Sequence, residues 1–359
     1  MDRRRLLLLT LTVATSMSAA MPEAMPTSVP SALSSTFDGT LSVLTYNVHG
    51  LPWPVAWGRP AQFGRMVAHL RQLRAQGRNP HVMVLQEAFT QTAQNIGAVA
   101  GYRYVVQGPS ADTVSDRRPN AQMQEFERAA SFVHGEGLGK YVGSGLEIAS
   151  DYPIVAVRRI AYPAFACAGY DCLANKGAMM ASVRLPGRPD PVDIVTTHLN
   201  SRRASGTADG RSLDAYEMQI GYLTDFIRAV HDPRRALVVA GDFNVGESRQ
   251  RRAGLLAVAH GQWVAGGRID DAYGDATRTR IPLSPDAAFS RNRARDWQFF
   301  ADGTVSALRL QRIDIPFGHD AKGAMLSDHV GYTASFRLSR PASRTVTNVA
   351  QAKQSAPVV

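Results

Sequence analysis

Cysteine is nearly absent from this 359-residue chain, which has only Cys167 and Cys172. Two thiols without a nearby His or further Cys make a poor zinc cage, and they are too few for a disulfide-dense scaffold. In an oxidising compartment the pair closes a small loop as a disulfide. Lysine is scarce too: arginine predominates among the 40 basic residues, which suits bidentate phosphate contact. Beyond the N-terminus no apolar run is long enough to span a bilayer. No repeat of solenoid period is present. Ser201 and Ser327 lack the elbow or triad spacing of a serine hydrolase, so nothing points to a covalent nucleophile.

What is present starts with a processing segment. Arg3, Arg4 and Arg5 form a positive stretch, Leu6 to Val13 an apolar one, and Ser18, Ala19 and Ala20 offer small residues for cleavage. Residues 1–20 therefore read as a signal peptide, and export to the periplasm or beyond is expected. Residues 21–38, rich in Pro, Ser, Thr and Met, read as a flexible leader, and 340–359 as a disordered tail. Residues 39–339 remain for the folded domain. The formal net charge is +10, or about +8 without residues 1–20, which hold three Arg and one Asp. A basic exported protein is drawn to nucleic acid, anionic lipid surfaces or phosphorylated sugars.

Apolar periodicity predicts strands at 40–46, 81–85, 146–150, 155–160, 178–185, 192–197, 237–240, 297–300 and 331–338. Helical spacing marks 60–76, 91–99 and 211–230, and the polar stretch 107–130 reads as a surface loop. Many strands with few helices fit two packed sheets covered by helices. Five polar signatures follow one another in this frame, most of them closing an apolar run. They are Thr45-Tyr46-Asn47, Gln86-Glu87, Thr197-His198-Leu199, Gly241-Asp242-Phe243-Asn244 and Ser327-Asp328-His329. Two His, three carboxylates and two Asn at strand ends suit a divalent metal and a phosphate ester.

The order and wording of these signatures resemble the endonuclease/exonuclease/phosphatase superfamily. The resemblance implies an α/β fold of deoxyribonuclease I type: a four-layer α-β-β-α sandwich with two packed, mainly antiparallel sheets. Tyr46-Asn47-Val48, the run Gly143 to Ile148 closing on Pro153-Ile154, and Asn175-Lys176-Gly177 are similar to the secreted sphingomyelinase-type phosphodiesterases. Those proteins are expected to carry Asp before the Lys-Gly pair, where this chain has Asn175.

The resemblance assigns roles that the chemistry of the residues supports. Glu87 is the principal ligand of Mg²⁺ or another hard cation such as Mn²⁺ or Ca²⁺, with Asn47 as its neutral neighbour. Asp242 and Asn244 alternate with Phe243, so on an extended backbone they share one side while Phe243 faces the core. Asp242 would hold the attacking water, and Asn244 would donate to a phosphate oxygen. His329 accepts the water's proton, with Asp242 the alternative base, and His198 donates to the phosphate or stabilises its charge. The carboxylate orienting His329 is Asp296 or Asp314; Asp296 leaves room for another strand and is favoured. Asp328 is a second metal ligand or a tether for its loop.

The expected reaction is metal-assisted hydrolysis of a phosphodiester by direct attack of water. For the substrate, Trp53 and Trp57 suit a lipid interface or a stacked base, Arg202 and Arg203 a phosphate, and Lys176 a sphingomyelinase-like site. A phospholipase C-type activity on sphingomyelin or a related lipid is the first reading, with the protein touching a membrane surface as a monomer. A secreted nuclease, an inositol or sugar phosphate phosphatase, and a non-catalytic binding protein are the alternatives.

Overall fold

A computed structural model describes residues 37–340 except 53, 54, 265 and 267. The signal peptide, the leader up to residue 36, Trp53 and the tail from residue 341 lie outside the described residues.

Twelve strands run through the described residues: β1 Thr40–Asn47, β2 Val82–Gln86, β3 Tyr104–Gln107, β4 Glu147–Ser150, β5 Ile154–Ala161, β6 Gly177–Val183, β7 Val192–His198, β8 Leu237–Asp242, β9 Ile269–Asp271, β10 Asp296–Ala301, β11 Ala307–Phe317 and β12 Gly331–Ser339. Eight α-helices connect them: α1 Arg59–Ala75, α2 Gln91–Gln94, α3 Ile96–Val99, α4 Ala121–Arg128, α5 Asp209–Val230, α6 Arg249–Gln262, α7 Ala272–Arg278 and α8 Pro285–Arg293. The strands form two six-stranded sheets, ordered β11-β12-β1-β2-β4-β3 and β5-β6-β7-β8-β10-β9. Each is antiparallel except at one parallel pair, β1 with β2 and β7 with β8.

Strand alternation sorts the side chains into layers. Val238 and Ala240 of β8 join Val43, Val84 and Met179 in the core between the sheets, whereas Leu237 and Val239 point the other way. There they pack under α5, whose Tyr216, Ile220, Leu223 and Ile227 recur at helical spacing. Leu44 and Tyr46 of β1 likewise face α1 through Phe63, Met66 and Leu70. The order of layers is helix, sheet, sheet, helix.

Several expectations needed correction. The segment 107–130 is not all loop: Asn120 accepts from Met123 N at 2.9 Å and caps α4. The 91–99 helix divides at Asn95 into two short ones. Strands β3, β9 and β11 and helices α6 to α8 escaped notice. In β11 the bulge between Leu310 and Arg312 breaks the period-two pattern.

Phe243 is fully buried against Trp263 and Phe299, with ring centroids 6.1 and 5.6 Å away. Phe243→Ala leaves a cavity there and lowers unfolding free energy by about 3–5 kcal/mol. Urea denaturation monitored by circular dichroism checks this; a loss below about 1 kcal/mol contradicts the packing described.

Candidate active site

Register delivers the signatures to one place. The parallel pairing of β1 with β2 sets Asn47 beside Gln86, and that of β7 with β8 sets His198 beside Asp242. β10 runs antiparallel to β8 with Asp296 opposite Asp242. His329 precedes β12, which pairs with β1 from the other side.

The backbone is strained where the strands end. His49, Glu87 and Asn244 have φ of 51°, 56° and 48°, a left-handed conformation that costs on the order of 1 kcal/mol or more for such residues. Gly145 lies behind Glu87 with φ 66°, and a Cβ there would sit 2.6 Å from the Phe89 ring. Ala88 N donates to Gly145 O at 2.9 Å and fixes the turn. Gly241 is needed for contact: its Cβ would meet Thr197 O at 2.2 Å between the parallel strands.

Asn47 is the hub of the cluster. Its Nδ2 donates to Glu87 Oε1 and Asp242 Oδ2, both at 2.9 Å, and its Oδ1 accepts from His49 N at 2.9 Å. Asn244 N donates to Asp242 Oδ1 at 2.9 Å, and Asn244 Nδ2 to Leu199 O at 2.9 Å. His198 Nε2 lies 3.7 Å from Asp242 Oδ2 and 4.0 Å from Glu87 Oε1. His329 Nε2 lies 3.6 Å from Asp242 Oδ2 on the other flank. The carboxylate behind His329 is Asp296, whose Oδ2 accepts from Nδ1 at 2.8 Å. Asp314 lies on β11, ion-paired with Arg312 at 2.6 Å and opposite Thr333.

The two histidines differ electrostatically. Burial works against a charged His329, but the Asp296 and Asp242 carboxylates outweigh it and raise its pKa to about 9. Burial and then the Lys176 ammonium push His198 down to about 4, so it is neutral. Burial also pushes Asp242 up, but His329 and His198 together hold it below the usual carboxylate range. Glu87 is raised to about 7, chiefly by burial.

Two carboxylate–imidazole groups have ligand atoms within 4.8 Å of one another: Glu87, His198 and Asp242, and Asp242, Asp296 and His329. The second is occupied by the His329–Asp296 ion pair, and both oxygens of Asp242 already accept hydrogen bonds. Glu87 differs: among the described residues only Oε1 accepts a hydrogen bond, and the side chain lines a chamber that opens from the cluster, with His198, Asp242 and His329 also in its lining. A hard cation with oxygen preference fits beside Glu87 and Asn47.

Other expected residues stand elsewhere. Lys176, expected at the substrate, is not among the residues that line the chamber. Its side chain is 3% exposed, and Nζ bonds Asp171 Oδ1 and Leu199 O at 2.9 Å and lies 3.2 Å from His198 Nε2. It supports His198 at the same ring nitrogen that faces Asp242 and Glu87, because the buried ammonium needs three partners and finds them there. Arg202 and Arg203 line the chamber but pair with Asp209 and Glu247. Asp328 is half exposed and stands outside both carboxylate–imidazole groups; its Oδ1 pairs with His49 at 3.3 Å and its Oδ2 with Arg295 at 3.4 Å. That is the geometry of a tether. Cys167 and Cys172 form a disulfide with Cα atoms 5.2 Å apart.

Sequence reading missed Asp171 and Arg251. Asp171 lies inside the disulfide loop, bonds Ser201 Oγ at 2.7 Å and anchors Lys176. Arg251, 1% exposed, donates to Asn200 O at 2.6 Å and Asn244 O at 3.0 Å and ties together two loops of the site. No motif marks Arg251. The Asp between two cysteines was a signal that could have been followed.

Two mainly antiparallel sheets between helices, with this cluster at their strand ends, define a deoxyribonuclease I-like sandwich. The chain belongs to the Endonuclease/Exonuclease/phosphatase family, whose sequence profile matches residues 44–329. It is similar to a sphingomyelinase of Mycobacterium tuberculosis strain H37Rv, 24% identical over 299 residues that cover 82% of this chain and 52% of that protein. The chain thus spans about half the length of the curated relatives it matches. Among solved structures it resembles a double mutant of beta toxin from Staphylococcus aureus with bound magnesium ions, at TM-score 0.52 and 16% identity over 82% of this chain and 98% of that one. It also resembles D. rerio TDP2 complexed with a single-strand DNA product, at TM-score 0.53 and 16% identity over 83% and 99%.

Proposed function

We propose that this chain is an exported, divalent-cation-dependent phosphodiesterase that hydrolyses a phospholipid of the sphingomyelin kind. One observation carries the substrate class. The cluster opens into a cavity of about 990 Å³ whose lining includes Leu51, Val55, Phe89, Leu173 and Val245. A mainly apolar chamber beside a polar floor of carboxylates, imidazoles and Asn244 suits an ester with an apolar substituent. The similarity to a mycobacterial sphingomyelinase supports the same reading. Export is supported by the basic and apolar stretches of residues 1–20 and by the disulfide, since such bonds persist in oxidising compartments.

The residues divide the work as follows. Asp242, fixed by Asn47 and Asn244, positions a water for attack on phosphorus. His329 Nε2 accepts its proton, and Asp296 holds the imidazole in the tautomer that leaves Nε2 free to do so. His198, kept neutral beside Lys176, faces Asp242 and Glu87 across the floor. Glu87 and Asn47 would hold a hard divalent cation, whose chemistry when bound is to polarise the phosphate and offset its developing charge.

Purified mature protein is incubated with Mg²⁺ or EDTA and offered sphingomyelin vesicles, phosphatidylcholine vesicles, plasmid DNA or RNA. Release of phosphocholine that EDTA abolishes, without nicking of DNA, is the expected result. The net charge of +10 and the likeness to TDP2 favour nucleic acid as the second reading. Nicking without phosphocholine release would overturn the lipid proposal in its favour.

A further inference from the structure

Asn175 stands apart from the chemistry, yet its side chain is buried against a turn nearly 65 residues upstream. Its Nδ2 donates to Ser110 O at 2.7 Å and Thr113 O at 2.8 Å, with Ala111 O at 3.4 Å. Its backbone N donates to Val142 O at 2.9 Å. Tyr141 N and Val142 N in turn donate to Leu173 O at 2.8 and 3.3 Å, and Ser144 N donates to Pro109 O at 2.8 Å. Three segments, 109–113, 141–144 and 173–175, are laced side by side. Tyr141, Val142, Leu173 and Ala174 from two of them line the chamber.

From these contacts we infer that Asn175 is a specificity-determining positioning residue. Its amide staples the 110–113 turn to this wall, and the wall receives the apolar substituent of the ester. The inference rests on the phosphodiesterase reading above. Between the first two segments the chain from 114 to 140 carries only α4 and one 3₁₀ turn, and neither contains a buried residue. Its middle is pinned by the buried Glu136, which accepts from Gly169 N at 2.7 Å and pairs with Arg211 at 2.8 Å, so the turn before it depends on the near end. Lys140 secures the far end by donating to Cys172 O at 2.9 Å, and Asn175 secures the near one. Carbonyl oxygens converging on one amide require a donor. An aspartate of the same shape offers only acceptors and would repel them.

The test compares Asn175→Asp and Tyr141→Ala with the wild type. Tryptic cleavage after Arg117, whose side chain is 58% exposed, reports on the turn without reference to activity. Kinetics are measured on sphingomyelin in detergent micelles and on methyl p-nitrophenyl phosphate, a diester too small to fill the wall. Asn175→Asp is expected to be cut about tenfold faster. It should show KM for sphingomyelin raised about tenfold, kcat within about twofold, and an unchanged rate on the small diester. Tyr141→Ala, at an exposed position that the fold tolerates, should raise the same KM and leave the tryptic rate alone.

Unchanged cleavage of Asn175→Asp would sink the staple. Equal losses on both substrates, or an unaltered KM in Tyr141→Ala, would sink the wall. Hydrolysis of the small diester but not sphingomyelin by the wild type would remove the lipid reading and the wall's ligand together. Hydrolysis of neither substrate by the wild type, with the tryptic result as expected, would overturn the phosphodiesterase reading alone, and full activity in His329→Ala would overturn the assignment of the base.

Discussion

Replacing His329 by alanine lowers kcat/KM by about a hundred- to ten-thousandfold, the range in which a positioned base contributes. The imidazole Nε2 faces Asp242 while Nδ1 is engaged by Asp296 at 2.8 Å. Removing the ring leaves Asp242 as the remaining proton acceptor, and it is a poor substitute because both its oxygens already accept hydrogen bonds, from Asn47 and Asn244. A variant that keeps more than about a tenth of the wild-type rate would contradict the assignment.

The pH profile adds a second check. A base acts only when neutral, so the rate rises as pH passes upward through the pKa of His329, which the two carboxylates raise to about 9 despite burial. Asp296→Asn removes one of these carboxylates. Less negative charge stabilises the imidazolium less, so the pKa falls and the rising limb moves to lower pH. The plateau falls as well, because the ring is held less firmly. A limb that stays in place or moves to higher pH shows that His329 is not the titrating base. The same sign governs stability: a folded pKa above the unfolded value of about 6.5 stabilises at low pH. That contribution is lost as pH climbs through about 9.

Glu87→Gln is expected to cost at least about a hundredfold in rate and to abolish stabilisation by Mg²⁺. Saturating a site at a hundred times its dissociation constant adds about 2.7 kcal/mol to the native state. Melting curves with and without Mg²⁺ should therefore separate for the wild type and coincide for the variant. Glutamine keeps the shape and can still meet Asn47, so coincidence reports the lost charge. A variant with wild-type Mg²⁺ stabilisation would move the cation away from Glu87.

Much of this site was legible because strand ends are marked locally. Val-Met-Val-Leu before Gln86-Glu87, and Ala-Leu-Val-Val-Ala before Gly241-Asp242, announce both a buried strand and the polar residue that leaves it. The role of Lys176 was less legible. Its neighbours in sequence suggest a basic residue available to substrate. Its function depends on Asp171, which a disulfide loop brings beneath it, and on His198, which arrives from β7.

The choice between Asp296 and Asp314 marks the boundary. Both are carboxylates near the start or middle of an apolar run, and local chemistry ranks them closely. β-Pairing separates them: Asp296 opens β10 opposite Asp242, whereas Asp314 lies on the opposite sheet beside Arg312. Sequence alone determined the layered α/β frame, the order of the polar signatures and the need for paired carboxylates and imidazoles, because each is written within a few neighbouring residues. Tertiary structure alone decided which carboxylate holds His329, that Lys176 supports His198, and that Asn175 secures a wall of the chamber. Those decisions rest on contacts between segments far apart in the chain, which only strand register and loop packing bring within hydrogen-bonding distance.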